Sequence, residues 1–429
     1  RGQGKSEGVF HFFRDDIDDG YDAIEWISRQ SWCNGKVGMQ GPSYLGGTQL
    51  LAAKSKHVAL KCIMPTAFVG NFVRAYPYSN GVPSKGAFMQ WLKVADAKSQ
   101  DELEFSYGDM ELLDHPQWGA AYRYRPLVDS AEGVLEGDKL QCWHEVMQNP
   151  TDSEYWASIH FTEKELAELD LPIFFTDGWY DTTVGPIEFF HRMEKLQPER
   201  ADRFLLVGPW DHYQTFSASK AGENNGDRIL PSNGALDLVA QRLKFFERYL
   251  KDNKKANVQS DRVQIYITGP ENSTVNDWYF FPTYPVPGTS YQKLYLNSKG
   301  GAHEFPGNGV LIWHGPAETS LIKEEYAACD HYRYDPESPP HSIVETSKDR
   351  CAVEKRADVL TYTSAPLTEP ITILGDISCV LFASSSARDT DWFLVLTEVF
   401  PNGESRSFHY APPAIRARYR EGLDREILL

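Results

Sequence analysis

The sequence has few cysteines and no long apolar run. Six cysteines are spread over 429 residues, and no two of them form a Cys-x-x-Cys pair. This spacing is unlike that of zinc sites and disulfide scaffolds, so we expect isolated buried thiols and no bound metal. No apolar stretch reaches the roughly 18 residues of a membrane-spanning helix, and no segment has the pattern of a secretory signal.

Basic residues are also fewer than acidic ones. Lysine and arginine total 43 against 60 aspartate and glutamate residues, which gives a net charge of −17. Nucleic acids and anionic membranes bind clustered positive charge, so we expect neither as a partner. We also expect no organic cofactor. The sequence does not indicate a compartment, and homo-oligomerisation stays open.

The most informative stretch that is present is KVGMQGPSYLGG at 36–47. Lys36–Gln40 has the apolar pattern of a short buried strand, and good helix formers follow from Gly46. Ser43 therefore lies in a turn between a strand and a helix, which is the layout of a nucleophile elbow. Leu45 stands where the commoner elbow has its second glycine, and a serine that merely caps a helix is the alternative.

Short apolar strands alternate with helices on both sides of a long insertion, which indicates an α/β fold with a parallel sheet. The predicted elements are helix 16–31, strand 36–40, a helix to residue 55, strands 60–65 and 171–176, helix 186–196, strand 204–207 and helix 241–252. Between them, residues 67–169 are rich in aromatic side chains and helix-compatible segments, which predicts an inserted helical cap. Those aromatic residues fit either a substrate pocket or the core of the cap itself.

The chain becomes rich in short strands after residue 255. We predict strands at 263–268, 293–296, 360–363, 371–374, 377–383 and 392–400. Several short strands with long connections indicate a β-sandwich of the jelly-roll type. The expected domains are an α/β domain (1–66 and 170–255), a helical cap (67–169) and a β-sandwich (256–429).

Two polar loops follow predicted strands and end in Asp181 and His212. In open α/β sheets, ligands gather at the carboxyl ends of strands, so both loops are expected at the edge that carries Ser43. Serine needs an imidazole to take its proton, and the imidazole needs a carboxylate to orient it. The chain order Ser43, Asp181, His212 is that of the α/β-hydrolase triad and predicts a serine hydrolase. Asp177 and Asp211 compete with Asp181 for the place of the acid.

Three motifs resemble the signature segments of the cocaine esterase-like hydrolases, the CocE/NonD family, to which X-Pro dipeptidyl-peptidases and α-amino-acid ester hydrolases are related. They are GPSYLG at 41–46, GWYD at 178–181 and GPWDH at 208–212, with further similar stretches at 19–27, 389–392 and 416–422. The resemblance covers nearly the whole chain. It implies an α/β-hydrolase domain, a helical cap and a C-terminal jelly roll.

The same resemblance implies cleavage of an ester or amide bond in a small molecule or short peptide through an acyl-enzyme. By motif match, Ser43 is the nucleophile, Asp181 the orienting acid and His212 the base, and the backbone N–H of Tyr44 belongs to the oxyanion hole. In the family pattern, the first strands and an oxyanion-hole tyrosine lie upstream of residue 1, and further sandwich strands follow residue 429. We therefore expect a fragment in which both the hydrolase domain and the jelly roll are incomplete.

Substrate choice is less defined by the sequence. Residues 182–184 lack the acidic side chains that mark the amino-acid ester branch, which disfavours that branch. Trp179 is a candidate substrate-binding residue, and with the aromatic cap it indicates a hydrophobic acyl group. The alternatives are a non-catalytic fragment or binding module, dipeptidyl-peptidase-type activity, and an acyltransferase of the same fold.

Overall fold

The computed structural model describes residues 1–2, 5–95, 115–217, 224–225, 228–229, 231–259, 261–270, 273–313, 329–340, 348–409 and 413–423. Part of the predicted helical insertion, residues 96–114, lies outside the described residues. None of the helices in the described ranges combines the length and the apolar composition that crossing a lipid bilayer requires.

Helices are concentrated in the first 250 residues, and strands occur along the whole chain. The described helices are α1 Asp16–Ser28, α2 Tyr44–Lys54, α3 Lys85–Ala95, α4 Pro116–Arg123, α5 Gly137–Met147, α6 Glu154–Ala157, α7 Glu163–Ala167, α8 Gly185–Leu196, α9 Gln214–Ser217, α10 Leu238–Leu250 and α11 Cys351–Glu354. The described strands are β1 Val37–Pro42, β2 Leu60–Thr66, β3 Tyr78–Ser79, β4 Val82–Pro83, β5 Ile173–Tyr180, β6 Arg203–Asp211, β7 Asn224–Asn225, β8 Arg228–Ile229, β9 Val263–Ile267, β10 Asp277–Phe281, β11 Tyr295–Asn297, β12 Val310–Ile312, β13 Thr363–Ser364, β14 Asp391–Phe393, β15 Thr397–Val399, β16 Ser405–Ser407 and β17 Ala414–Arg416.

Six of the described strands form one sheet in the order β1-β2-β5-β6-β9-β10. The first five run parallel to one another, and β10 pairs antiparallel with β9 at the edge. Helices α2, α8 and α10 lie in the connections between successive parallel strands. The alternation of strands and helices predicted from the sequence is therefore present, and the architecture is α/β.

Side chains of the sheet alternate between two apolar cores, one on each face. Phe174 and Phe204 pack with Phe245 of α10 on one face. Phe175 and Leu205 belong to a larger core on the opposite face, which also receives residues of α1, α2 and α8. Burial on both faces explains why the parallel strands are nearly continuous apolar runs in the sequence.

The position of β9 differs from our prediction. We expected the strand at 263–268 to belong to the C-terminal β domain, but β9 pairs with β6, with Val263 opposite Leu205 and Ile265 opposite Val207. Val263 and Ile265 are fully buried. The α/β sheet therefore continues past residue 255, because the apolar residues of β9 extend its core beyond β6.

The strands of the C-terminal region are shorter than expected, at two or three residues each. Its described strands form a small sheet, β11-β12-β13, and two two-stranded pairs, β14-β17 and β15-β16. The predicted strands 371–374 and 377–383 make no strand pairing in the structure. Their apolar side chains are exposed except that of Leu374, and Phe382 is exposed to 97%. Strand propensity alone does not form a strand where the backbone has no neighbour to bond.

Five of the described helices, α3 to α7, lie between β2 and β5, where the sequence predicted helical segments. Large aromatic residues of this segment join the apolar core that also contains residues of α1, α2 and the sheet, and Phe88, Trp143 and Trp156 are fully buried. Two of the bulky indoles use their N–H groups on backbone carbonyls, Trp143 on Val128 and Trp156 on Asn149. For these residues the core alternative holds rather than the pocket alternative.

The close packing of α2 on β2 leads to a prediction about Gly46. A Cβ atom there would lie 2.7 Å from the carbonyl oxygen of Thr66 and 3.0 Å from Cβ of Phe68. We expect Gly46→Ala to lower the free energy of unfolding by about 2 kcal/mol, because backbone has to move to admit the methyl group. Gly133→Ala is the matched control, since nothing lies within 4 Å of its Cβ position. Urea unfolding of both variants checks this, and equal stabilities would contradict it.

Candidate active site

Ser43 joins β1 to α2 in a strained backbone conformation. Its φ of 58° and ψ of −126° lie outside the regions that non-glycine residues normally adopt. Its N–H donates to the carbonyl of Thr66 at 2.9 Å, and its own carbonyl accepts from the N–H groups of Gly46 and Gly47 at 2.9 and 3.2 Å. These bonds hold the turn that the sequence predicted at this serine.

The commoner elbow motif has a glycine two residues after the serine, where this chain has Leu45, and Gly46 takes its structural place. Leu45 is 58% exposed, so its side chain is not needed in the core. Gly46 is buried where α2 approaches the carbonyl of Thr66, and a side chain there would collide with it. The elbow therefore keeps its tight helix–strand contact although the glycine has moved by one residue.

Gln49 supports the elbow, and our reading of the sequence did not identify it. Its amide nitrogen donates to the carbonyls of Gly41 and Leu45 at 3.0 and 2.9 Å. Its amide oxygen accepts from the N–H of Met64 at 2.9 Å. One buried side chain thus ties β1, α2 and β2 together. The available signal was a long polar side chain between Thr48 and the apolar residues that begin at Leu50.

The three residues expected to form a triad lie in series, with His212 within hydrogen-bonding distance of both Ser43 and Asp181. His212 Nε2 is 3.0 Å from Ser43 Oγ, and His212 Nδ1 is 2.9 Å from each carboxylate oxygen of Asp181. The Asp181 side chain has no exposed surface, whereas that of His212 is 25% exposed. A proton on Nδ1 leaves the Nε2 lone pair facing the serine hydroxyl, which is the tautomer that can accept the serine proton.

Two threonines compensate the burial of the Asp181 carboxylate. Its Oδ1 accepts from the backbone N–H and the hydroxyl of Thr183 at 2.8 and 3.0 Å, and from the hydroxyl of Thr182 at 3.4 Å. Buried charge is tolerated when such donors surround it. The stretch that lacks the acidic residues of the amino-acid ester branch therefore has a different use here.

The two rival carboxylates have other positions. Asp211 accepts from the backbone N–H of Gln214 at 2.7 Å, at the start of the short helix that follows His212. Asp177 lies fully buried in β5, where Oδ1 accepts from the N–H of Gly178 at 3.0 Å. Its Oδ2 has no hydrogen-bond partner among the described residues. Burial, and then the charge of Asp181, raise the pKa of Asp177 well above its usual range.

The remaining site candidates, Tyr44 and Trp179, are close along the chain to Ser43 and Asp181. Tyr44 is the first residue of α2, where backbone N–H groups have no carbonyl partner one turn earlier. Trp179 is half-buried near the end of β5, and its indole N–H donates to the carbonyl of Tyr266 in β9 at 2.7 Å. The indole N–H of Trp179 is thus used within the sheet, and the ring is the part left for other contacts.

One group of side chains in the described residues could hold a metal ion. Asp129, Glu132 and His144 each offer a ligand atom within 4.8 Å of the others. They belong to the helical segment between β2 and β5, whereas the Ser43 group stands on loops at the ends of sheet strands. Glu132 is exposed and the other two are partly buried.

Comparison with known protein families gives two matches that together cover most of the chain. Residues 1–214 match the family described as X-Pro dipeptidyl-peptidase (S15 family). Residues 255–426 match the X-Pro dipeptidyl-peptidase C-terminal non-catalytic domain.

Individual relatives match nearly the whole chain. Cocaine esterase of Rhodococcus sp. (strain MB1 Bresler) is 33% identical over 99% of this chain and 72% of its own length. The solved structure of an α-amino acid ester hydrolase is 23% identical, with a TM-score of 0.72 over 99% of this chain and 71% of that one. An aminopeptidase from a marine sediment Thaumarchaeota archaeon shares 23% identity and a TM-score of 0.70 over the same shares. At these identities, the two structures bear on the fold alone.

The α/β sheet and these relatives define the class of protein as a serine hydrolase that acts on esters or peptides. Within this class, the chain belongs to the CocE/NonD family of cocaine esterase-like hydrolases, as its sequence motifs indicated. The S15 catalytic domain comes first along the chain, and the non-catalytic domain follows it.

Asp177 gives a prediction about the pH dependence of stability. Because its pKa is raised, the folded protein keeps this proton to a higher pH than the unfolded chain does. Its contribution to stability is complete below the unfolded pKa and declines as the pH rises through the folded one. As the pH is raised from about 5 to about 8, we expect the free energy of unfolding to fall less in the Asp177→Asn variant than in the unsubstituted protein.

Urea unfolding across this pH range measures the effect. Asp22→Asn is the matched control, because Asp22 is an exposed carboxylate on α1. The control should follow the unsubstituted protein. Identical pH slopes for the Asp177→Asn and Asp22→Asn variants would show that Asp177 does not hold a proton in the folded state.

Proposed function

We propose that this chain cleaves a carboxylic ester or amide through a Ser43–His212–Asp181 triad and an acyl-enzyme. The observation that carries the proposal is the unbroken hydrogen-bond series from Ser43 Oγ through both nitrogens of His212 to the Asp181 carboxylate. A serine hydroxyl becomes a useful nucleophile when such a base stands beside it.

The reaction follows from this geometry in two stages. Ser43 Oγ attacks the substrate carbonyl while His212 Nε2 takes the hydroxyl proton, and Asp181 stabilises the imidazolium that forms. Collapse of the tetrahedral intermediate expels the alcohol or amine, which receives that proton from His212, and leaves an ester on Ser43. Water then attacks the ester with His212 again acting as base, and the acid product and free Ser43 result.

The proposed oxyanion hole includes the backbone N–H of Tyr44. This N–H stands at the first turn of α2, where the positive end of the helix dipole favours developing negative charge. The turn at Ser43 is held by Thr66 and Gly46, so the N–H would not have to reorganise as charge forms. Donors fixed in this way contribute more to rate than mobile ones.

The proposed substrate is a small molecule or short peptide whose acyl group is hydrophobic. Trp179 lies two residues before Asp181, and its indole N–H is occupied by Tyr266, so the ring face is what it would offer an acyl group. Leu45, Val184 and Tyr213 are apolar residues close in sequence to the three triad members, and all three are at least half-exposed. The S15 family match favours dipeptidyl-peptidase-type cleavage as the second candidate activity.

We propose that the domains follow the sequence-based division with one revision. The α/β-hydrolase domain takes 1–66 and 170–255 together with β9 and β10, which lie in its sheet. The helical segment of 67–169 acts as a cap, and the remaining C-terminal strands belong to a jelly roll. The S15 match over residues 1–214 supports the first part of this division, and the non-catalytic domain match over residues 255–426 supports the last part. The second match includes β9 and β10, so the revision is supported by the pairing of β9 with β6 and with β10 alone.

Labelling with a fluorophosphonate and mapping the modified peptide by mass spectrometry tests the triad. We expect the label on Ser43, because the phosphonylation step needs the same activated oxygen as acyl transfer. His212→Ala should slow labelling by about 1000-fold or more, since the base is lost. His57→Ala is the control, because His57 is bonded to Glu25 and to the N–H of Ala59.

Equal labelling of the His212→Ala and His57→Ala variants would contradict the triad. A folded protein with no label on Ser43 would favour the non-catalytic binding module. If Ser43 is labelled, product analysis with added alcohols or amines separates hydrolysis from acyl transfer, and an X-Pro dipeptide anilide tests the peptidase candidate.

A series of p-nitrophenyl esters tests the acyl preference. We expect kcat/KM to be higher for benzoyl than for acetyl esters, because the exposed apolar side chains near the triad would bind the larger group. Trp179→Ala should reduce the benzoyl rate by about tenfold and the acetyl rate much less. A preference for acetyl esters, or equal losses in the variant, would contradict the role of Trp179.

A further inference from the structure

The side chain of Tyr44 is fastened to the N-terminal segment of the chain. Its hydroxyl donates to Oδ2 of Asp16 at 2.7 Å and accepts from the backbone N–H of Phe13 at 3.0 Å. Asp16 is the first residue of α1, and Tyr44 is the first residue of α2. Two helix starts are thus joined through a single hydroxyl group.

Aromatic rings hold the same side chain from other directions. The Tyr44 ring stacks with that of Phe13 at a centroid distance of 3.9 Å and an angle of 16°, and with that of Trp91 at 5.7 Å and 19°. Phe13 in turn rests on α2, where a Cβ at Gly47 would lie 2.7 Å from its ring. Both the ring and the hydroxyl of Tyr44 therefore have fixed partners.

The protonation states of Tyr44 and Asp16 favour the hydrogen bond between them. Burial raises the pKa of the Tyr44 hydroxyl well above its usual value, so it stays a hydrogen-bond donor. Burial also raises the pKa of Asp16, while the bond from Tyr44 opposes that shift by favouring the charged form. A phenol that donates to a partly buried carboxylate forms one of the stronger kinds of hydrogen bond.

The contacts of the Tyr44 side chain hold the residue that directly follows the strained Ser43. Ser43 is anchored on its N-terminal side through the bond from its N–H to Thr66. On its C-terminal side, the next residue is Tyr44, whose N–H we assign to the oxyanion hole. A shift of the Tyr44 side chain would move that N–H, and a displacement of about 1 Å in a catalytic group can cost about 100-fold in rate.

We propose that Asp16 and the Tyr44 hydroxyl are positioning residues that fix the backbone N–H of Tyr44 in the oxyanion hole. Neither side chain takes part in proton transfer. The inference rests on the proposed function, because it assumes that this N–H stabilises the oxyanion. It adds that α1, which supplies none of the proposed triad residues, sets the geometry of the transition-state contacts.

Four variants test the tether. Tyr44→Phe removes the hydroxyl and keeps the stacked ring, and Asp16→Ala removes the acceptor. We expect each to lower kcat for p-nitrophenyl butyrate by about fivefold to tenfold and to change KM by less than about twofold, because the lost contact acts mainly in the transition state. The rate of fluorophosphonate labelling should fall by a similar factor, since the phosphoryl oxygen uses the same hole.

The other two variants separate the tether from general effects. Asp16→Asn retains an acceptor oxygen, and we expect kcat within about twofold of the unsubstituted protein. Asp15→Asn removes a neighbouring charge at the same end of α1, where Asp15 contacts His11 rather than Tyr44, and it should leave kcat unchanged. Because both substitutions remove the same hydrogen bond, the double variant of Tyr44→Phe and Asp16→Ala should have about the kcat of the less active single variant.

Several outcomes would overturn the inference. Unchanged kcat in folded Tyr44→Phe, a rise in KM at constant kcat, or an equal loss in Asp15→Asn would each do so. If Asp16→Ala does not fold, Tyr44→Phe decides alone, because it preserves the aromatic stack. An unsubstituted protein without label on Ser43 overturns the proposed function itself, whereas a labelled protein with unaffected variants overturns the tether only.

Discussion

The strained backbone of Ser43 is the constraint on which the rest of the site depends. A positive φ at a non-glycine residue costs on the order of 1–3 kcal/mol and persists only where the surroundings enforce it. Here the serine N–H donates to the carbonyl of Thr66 in β2, and Gln49 links β1 and β2 to α2. Tyr44 adds α1 to this support. Three neighbouring elements thus hold one serine clear of the sheet.

The parallel sheet explains why residues far apart in the chain meet around that serine. Ser43, Asp181 and His212 each come directly after a strand, and the carboxyl ends of parallel strands share one edge. Their burial differs in a useful way. Asp181 is enclosed and receives hydrogen bonds from the threonines that follow it, while His212 keeps a quarter of its side chain exposed. The carboxylate is thereby held rigidly, and the imidazole remains reachable from solvent.

Much of the first sheet could be predicted from periodicity, and the errors occurred where pairing partners decide the outcome. The strand at 263–268 was predicted to within one residue, yet it joins β6 rather than the C-terminal region. Residues 377–383 have strand-like composition and remain unpaired and exposed. An apolar pattern records that a segment is able to pair, but the neighbour that supplies its hydrogen bonds comes from elsewhere in the chain.

For the candidate site, the sequence by itself determined the elbow around Ser43, the order of the three polar residues and the family, because these depend on local turns and on spacing along the chain. Only the tertiary structure decided which carboxylate faces His212, since Asp177, Asp181 and Asp211 all come after strands predicted from the sequence. The same holds for Gln49 and for the bond between Asp16 and Tyr44. Each of these contacts joins separate elements of the fold, and local spacing carries no record of which elements will meet.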